Sequence, residues 1–341
     1  MNAKVMAPVS APKKDAGFDW KRALSNRVSW LPVGASALLL ILLLVGAQVR
    51  FESFVKPGVI SSLFVDNAYL IVLACGMTLV IITGGIDLSV GAVMGFSTAL
   101  TAVMLNDGVP AAVIIPIAIV AGALFGLLVG VLVQYFNVQP FIASLAGMFL
   151  ARGLCYVLVP RNLRIEDTTV LSLQNHKFRF GDWYFTGTVI IAITIVLLTA
   201  WLLAKTRFGR TVYAIGGSEQ SALLMGLPVA RSKVIVYVIS GTCAGIAGLL
   251  FAAYTAAGYA LHGVGTELDT IAAVVIGGTL LTGGSGYIFG SLLGVLVYGV
   301  IKQVISFEGA EQSWTRISVG VLLLIFVVVQ RLIVTRTTTR R

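Results

Sequence analysis

Long apolar runs recur along the chain, and each is close to the length that a helix needs to cross a bilayer. The runs do not alternate between apolar and polar positions, so they predict helices rather than the strands of a barrel. In lipid, only helices and closed barrels pair all of their backbone polar groups. We therefore predict an all-α integral membrane protein. About ten transmembrane helices are expected, at 31–49, 60–83, 88–105, 110–133, 140–159, 186–204, 233–256, 267–282, 286–306 and 314–333.

The polar segments between these runs carry most of the charge, and they suggest how the chain is oriented. Basic residues gather in 1–30, in the central loop 205–232 and in 335–341. This is the distribution expected of cytoplasmic segments under the positive-inside rule. We therefore predict a flexible cytoplasmic tail at 1–30, a transmembrane domain at 31–334 and a basic cytoplasmic tail at 335–341. The mixed segment 160–185 is expected on the periplasmic side, and both termini are expected in the cytoplasm.

Composition narrows the class of function. The chain is 58% hydrophobic and only 11% charged, so too few charges remain to cover a water-facing surface. The net charge of +10 could indicate nucleic-acid binding, but the clustering of the basic residues favours membrane orientation instead. Nucleic acid is therefore not an expected partner, whereas membrane lipid is. The three cysteines all fall within apolar runs, where packing is the expected role.

The sequence offers no recognisable catalytic centre. No glycine is followed by lysine, which excludes a phosphate-binding loop of the GK[ST] type. Only two histidines occur, His176 and His262, so an HExxH zinc motif is excluded too. We predict that the chain is not an enzyme, holds no metal and needs no cofactor. Any energy source is then expected on another subunit.

An internal repeat is suggested by two similar stretches. Residues 122–134 read GALFGLLVGVLVQ and residues 286–298 read GYIFGSLLGVLVY, with eight of thirteen positions identical. They belong to the fourth and ninth predicted spans, which would cross the membrane in opposite directions. An inverted repeat of five plus five spans is therefore predicted, as in many transporters. The alternative is that both stretches share glycines only because those glycines pack helices closely.

Four stretches resemble one family of membrane proteins. They are GMTLVIITGGIDLSVGAVMG at 76–95, PFIASLAGMFLARG at 140–153, TRFGRTVYAIGG at 206–217 and ELDTIAAVVIGGTLLTGGSG at 267–286. In these stretches the chain resembles the permeases of bacterial binding-protein-dependent ABC importers of monosaccharides, of the ribose, xylose and arabinose type. Further stretches, such as DNAYLIVLACGMT at 66–78, are most similar to one of the two permeases of the galactofuranose importer.

The resemblance implies a multi-subunit importer in the bacterial inner membrane. Two permease subunits would form the pathway, two cytoplasmic ABC ATPase subunits would drive it, and a periplasmic sugar-binding protein would deliver the ligand. A heterodimer of two different permeases is favoured over a homodimer, because the galactofuranose-type system uses two. The alternative function is an ion-coupled secondary transporter of a small polar solute, driven through Asp66 or Asp87 without an ATPase.

The loop 205–232 is the candidate coupling loop, because importers of this kind dock a short cytoplasmic helix into a groove of the ATPase. Ser218 is expected to cap that helix, and Glu219 suits its positive N-terminal end. The alternative is an ordinary basic connector. The candidate coupling residues are Gly216, Gly217, Ser218, Glu219, Ala222 and Gly226.

Charged residues within the predicted spans form the second group of candidates, because such charges are costly in lipid and are usually paired or functional. Asp87 lies in GGIDLS, where it could pin a helix break or line the pathway. The candidate pathway or helix-break residues are Asp66, Asn67, Gly84, Gly85, Asp87, Ser89 and Asp269.

A buried ion pair is predicted from depth. At about 1.5 Å of rise per residue, Asp66 and Arg152 are expected to lie at similar depths below the outer surface of the membrane. We therefore expect the two side chains to be in direct or water-bridged contact. The alternative is that Arg152 faces a watery cavity or bonds backbone carbonyls alone.

Overall fold

The structure is a computed structural model, and it describes residues 31–311 and 313–338. The predicted tail at 1–30 and the last three residues of the predicted tail at 335–341 lie outside the described residues. The first seven helices are α1 (Leu31–Phe51), α2 (Pro57–Asp66), α3 (Ala68–Ile82), α4 (Val90–Asn106), α5 (Ala111–Tyr135), α6 (Pro140–Leu158) and α7 (Thr168–Asn175). The other helices are α8 (Gly187–Lys205), α9 (Arg207–Gly217), α10 (Glu219–Leu224), α11 (Val229–Thr255), α12 (Thr266–Ile276), α13 (Ile288–Phe307) and α14 (Ser313–Thr338). The short strands are β1 (Leu163–Arg164), β2 (Lys177–Phe180), β3 (Trp183–Thr186) and β4 (Ala257–Gly258).

The described chain is mostly helical, and each predicted span contains an apolar helix, but the lengths differ from expectation. Six helices are long and apolar enough to cross a bilayer: α1, α5, α6, α8, α11 and α13. The pair α2 and α3 would make a seventh span, bent by 53°. Two further apolar helices, Val90–Asn106 and Ser313–Val328, are shorter. The predicted span 267–282 is only partly helical, because α12 ends at Ile276 after 11 residues.

The ends of two elements depart from the predicted boundaries for local reasons. At the end of α12, Gly278 has a φ of +94°, a conformation that favours glycine and stops the helix. At the other end of the chain, α14 continues through 335–338, which the sequence assigned to the tail. A helix can continue past the membrane, so the domain boundary at 334 stays a prediction.

Helices α3 and α11 form the centre of the bundle. Every residue of α3 except Tyr69 is buried, so this helix is apolar all round because protein surrounds it. Helix α11 packs against α3, α4 and α5, and 61% of its apolar window is buried, compared with 28% for α5. The central helices therefore hold the protein interior, and α5 presents most of its surface outward.

Close backbone contact joins α5 to α11 and α12 to α13. A Cβ atom added to Gly122 would collide with the carbonyl oxygen of Gly241, and one added to Gly241 would collide with that of Gly122. In the same way, Gly290 of α13 lies against the carbonyl of Gly277. The glycines shared by 122–134 and 286–298 thus pack a helix in each case, which fits the alternative reading of the repeat. The inverted repeat remains a prediction.

The bundle has two distinct ends. The strand end carries the four strands: β1 pairs with β4, and β2 pairs with β3 in a hairpin. The segment 160–185 therefore has its own small folded structure, tied to the chain after α11. The loop end lies at the opposite ends of α3 and α8, where α9 and α10 occupy the candidate coupling loop.

Candidate functional site

The short helix α10 is built as the sequence predicted. Ser218 is its N-cap, and the Ser218 Oγ accepts a hydrogen bond from the backbone N–H of Ser221 at 3.2 Å. Glu219 lies in the first turn and pairs with Lys233 of α11, with an Nζ–Oε1 distance of 3.0 Å. Ala222 is fully buried on the inner face. The cap stabilises α10 itself, and the ion pair to Lys233 and the contact of Ala222 with Val229 hold the helix against α11.

The outer face of α10 exposes apolar side chains. Leu224 is 85% exposed, and its neighbours Leu223 and Met225 are 56% and 66% exposed. Gly226, which follows, has a φ of +71°, so the chain turns there in a conformation that favours glycine. The sequence reasoning missed this apolar patch, although the consecutive residues Leu223, Leu224 and Met225 in a predicted cytoplasmic loop could have indicated it.

A glycine junction lies beside the coupling loop, and we define it as Ile82, Gly84, Gly216, Gly283 and Gly284. A Cβ atom added to Gly216 would collide with the carbonyl oxygen of Ile82 and the backbone nitrogen of Gly284. The N–H of Gly284 donates to the carbonyl of Ile82 at 2.8 Å. A Cβ atom added to Gly283 would lie 2.9 Å from the nitrogen of Gly84. The end of α3, the end of α9 and the segment before α13 thus meet through main-chain atoms.

The junction connects the coupling loop to two helix breaks. Ile82 ends α3, before the break that leads to α4, and 283–284 precede α13. Tyr213 of α9 adds a side-chain link, because its hydroxyl donates to the carbonyl of Gly286 at 2.7 Å. Burial raises the pKa of Tyr213 to about 12, so this hydroxyl stays a protonated donor. Gly217 is not part of the glycine junction, because a Cβ atom added there would meet nothing within 4 Å.

Asp87 is fully buried in the break between α3 and α4. Its Oδ1 accepts from the backbone N–H of Ser89 at 3.0 Å and from the Ser89 hydroxyl at 2.6 Å. Its Oδ2 accepts from the hydroxyl of Ser240 on α11 at 2.8 Å. At the preceding turn Gly84 has a φ of +80°, and a Cβ atom added to Gly85 would lie 2.6 Å from the hydroxyl oxygen of Tyr237. These contacts fit a carboxylate that holds the break in place.

A strand-end cluster brings Asp66 and Asp269 into one polar neighbourhood. Both carboxylates interact electrostatically with Lys302 of α13, and Asp269 also accepts from the hydroxyl of Tyr298 at 3.0 Å. The hydroxyl of Tyr69 interacts with both acids. The sequence reasoning missed Lys302, although it lies within the ninth predicted span and the cost of a charge there could have indicated it.

Aromatic rings lie beside these acids. Tyr69 packs edge-on against Phe251, with ring centroids 4.8 Å apart, and its ring lies 6.1 Å from that of Tyr254. Asn67 is buried at the bend between α2 and α3, and its amide donates to the carbonyl of Leu63 at 2.8 Å. Acids, hydroxyls and aromatic faces can together hold a neutral polyhydroxylated molecule. No group of side chains suited to a metal ion occurs in the described ranges.

The predicted direct ion pair between Asp66 and Arg152 is wrong. No ion pair joins these side chains in the part of the chain that the structure describes, where the pairs are Arg50–Glu308, Arg164–Glu166 and Lys233–Glu219. Helix α6 carries Arg152 and packs against α4 and α5, whereas Asp66 faces α13. Similar depth did not bring the two side chains into a direct ion pair, and the water-bridged contact stays a prediction.

Arg152 instead bonds backbone carbonyls, which was the alternative. Its Nη1 donates to the carbonyl oxygens of Ala260 at 2.8 Å and His262 at 2.6 Å. Both belong to the loop between β4 and α12. Glu267, at the start of α12, is also within electrostatic reach of this guanidinium. Arg152 therefore fastens the strand-end loop to α6.

Comparison with known proteins identifies similar sequences along most of the chain. A family model described as "Branched-chain amino acid transport system / permease component" matches residues 59–327. The fructose import permease protein FruG of Bifidobacterium longum is 43% identical over 330 residues, which cover 95% of each chain.

Two other relatives are also similar over most of the chain. The inner membrane ABC transporter permease protein YjfF of Escherichia coli is 41% identical over 285 residues, or 83% of this chain and 86% of the relative. The ribose import permease protein RbsC of Bacillus subtilis is 40% identical over 296 residues, or 86% and 90%. No solved structure matches the chain.

Proposed function

Because the chain belongs to the family described as the branched-chain amino acid transport system / permease component, we propose that it is a permease subunit of an ATP-driven, binding-protein-dependent importer of a monosaccharide. Relatives aligned over most of the chain are named as import permeases for fructose and ribose, and another as a transport permease for D-allose. These names support a sugar importer over the ion-coupled alternative. Galactofuranose is the specific sugar that the sequence suggests.

The glycine junction is the observation that supports ATP coupling. A force applied to α10 is carried to Gly216 through the last turn of α9, and from there to the ends of α3 and the segment before α13. No flexible side chain lies between these main-chain atoms, so little of the displacement is absorbed. The exposed Leu223, Leu224 and Met225 supply an apolar surface on which an ATPase can bind.

The transport pathway is proposed to begin at the strand-end cluster. Asp66, Asp269 and Tyr69 offer hydrogen-bonding groups and an aromatic face to a neutral sugar that arrives from a periplasmic binding protein. Binding there is expected to be weak and transient, because the delivery protein would hold the strong sugar site. A second and different permease subunit would complete that pathway as a heterodimer.

The orientation is proposed to place the loop end and both termini in the cytoplasm. Ten spans result if the bent pair α2–α3 counts once, and if α4, α12 and α14 cross or enter the membrane with the six long helices. Single cysteines at Ser218 and Thr168 test this arrangement, since an impermeant reagent should label Thr168→Cys from outside and Ser218→Cys only after permeabilisation. Labelling of both from one side would contradict the ten-span model.

The decisive experiment is sugar uptake into vesicles that contain the chain, its co-purifying ATPase and the binding protein. Leu224→Glu should abolish most uptake and weaken ATPase binding, because it places a charge in an apolar contact. Gln220→Glu is the matched control: it adds the same charge to the same exposed helix and should leave uptake near its original rate. Uptake without ATP, or equal loss in both variants, would contradict the proposal.

A further inference from the structure

A basic groove lies between α9 and α11 at the loop end. It encloses about 780 Å³ and is lined by apolar as well as basic side chains. The three cations at its walls are Arg207, Arg210 and Arg231. The apolar side chains are chiefly Phe208, Leu227 and Ile235.

The three arginines have no acidic partner in the described chain. The ion pairs there involve other residues, and Glu219, the nearby acid of α10, is already bound by Lys233. No acidic side chain lines the groove among the described residues. Three guanidinium groups that converge on one cavity without a counter-charge are complementary to an anion, and guanidinium groups bind phosphate especially well.

The position of the groove indicates which anion reaches it. Helix α8 is apolar along its length and ends at Lys205, and Trp201, one turn earlier, is 60% exposed. Tryptophan and lysine at the end of an apolar span are typical of the lipid headgroup region. Arg207 begins α9 two residues later, so the groove opens at the level of the lipid phosphates.

Helix α9 has the character of an interfacial helix. It buries Val212 and Ile215 on one side and exposes Arg207 and Arg210 on another. An amphipathic helix with arginines on its polar face is typical of segments that lie in the membrane interface and attract anionic lipids. The groove thus offers arginines to a headgroup and apolar side chains to the start of an acyl chain.

We infer that this groove binds an anionic phospholipid, with the headgroup phosphate held by Arg207, Arg210 and Arg231 and the acyl chain against Phe208 and Ile235. Basic pockets between membrane helices are a known way to bind such headgroups. Because the same helix carries Tyr213 and Gly216, a bound lipid braces α9 against α11 and stiffens the path from the coupling loop to the glycine junction.

The test is native mass spectrometry of the purified protein with phosphatidylglycerol or phosphatidylcholine. The triple variant R207Q/R210Q/R231Q should retain phosphatidylglycerol about tenfold less well, as expected for lost charge-assisted hydrogen bonds. The control R161Q/K177Q/R179Q removes three exposed cations at the strand end and should retain it normally. Phosphatidylcholine should bind weakly to all three proteins.

Other outcomes would overturn the inference. Equal retention by the triple variant and the original protein would do so, as would displacement of the lipid by inorganic phosphate alone, which would indicate a free-anion site. A triple variant that keeps the lipid but no longer co-purifies with the ATPase would instead assign the groove to that protein. All three arginines are exposed, so folding should survive, and the single variant Arg210→Glu provides a second test if it does not.

Discussion

Replacing Gly216 by alanine is the sharpest test of the glycine junction, because the adjacent Gly217 provides an almost ideal control. In Gly216→Ala the new methyl group collides with the carbonyl oxygen of Ile82 and the nitrogen of Gly284. In Gly217→Ala it meets nothing within 4 Å. Both residues lie in the last turn of α9, so both variants gain the same preference of alanine for helix, about 1 kcal/mol.

The difference between the two variants therefore isolates the collision. Overpacking of a close contact costs about 1–3 kcal/mol, and the atoms that must move here are main-chain atoms. Weakening the hydrogen bond from Gly284 to Ile82 adds roughly 1 kcal/mol. We expect Gly216→Ala to lower the free energy of unfolding by about 2–4 kcal/mol relative to Gly217→Ala.

The functional assay compares sugar uptake with ATP hydrolysis in the same vesicles. Gly216→Ala should transport fewer sugar molecules for each ATP hydrolysed, because the displaced loop still binds the ATPase but no longer fits the two helix breaks. Gly217→Ala should keep the original ratio. If both variants melt at the same temperature and transport with the same ratio, the junction does not transmit the motion.

Two further predictions concern the buried polar contacts. Ser240→Ala leaves the Oδ2 of Asp87 without its donor and should lower the free energy of unfolding by about 1–3 kcal/mol. Thr242→Ala, which loses only a bond within its own helix, should melt nearly normally, and matching melting temperatures would argue against the pinning role of Asp87. Arg152→Gln should speed hydrogen exchange of the amides in 256–265, whereas Asp66→Asn should not, and the two changes should be additive in stability to within about 0.5 kcal/mol. Faster exchange in Asp66→Asn would instead support the predicted contact between Asp66 and Arg152.

The sequence was informative where a property depends on near neighbours in the chain. Apolar runs located the helices, and Ser218 was recognised as a cap because capping needs only a side chain and the N–H three residues on. The break at Gly84 and Gly85 was visible for the same reason. Helix lengths were less accurate, since the early end of α12 depends on the backbone conformation at Gly278.

The sequence could not predict which helices pack side by side. Depth is proportional to residue number along a helix, so it can be calculated, but the identity of the facing helix cannot. Arg152 was therefore assigned the wrong partner, and Lys302 was overlooked as the cation near Asp66. Hydropathy likewise placed α3 within a predicted span, but it could not show that protein covers nearly all of this helix.

The contact between Gly122 and Gly241 limits how the protein can move. Helices separated by long side chains can slide past one another as those side chains change rotamer, but here main-chain atoms touch directly. Helices α5 and α11 are therefore expected to move together as one rigid body. We expect any relative motion of the helices to occur instead where the backbone bends, at the 53° bend beside Asn67 and at the turn before α4.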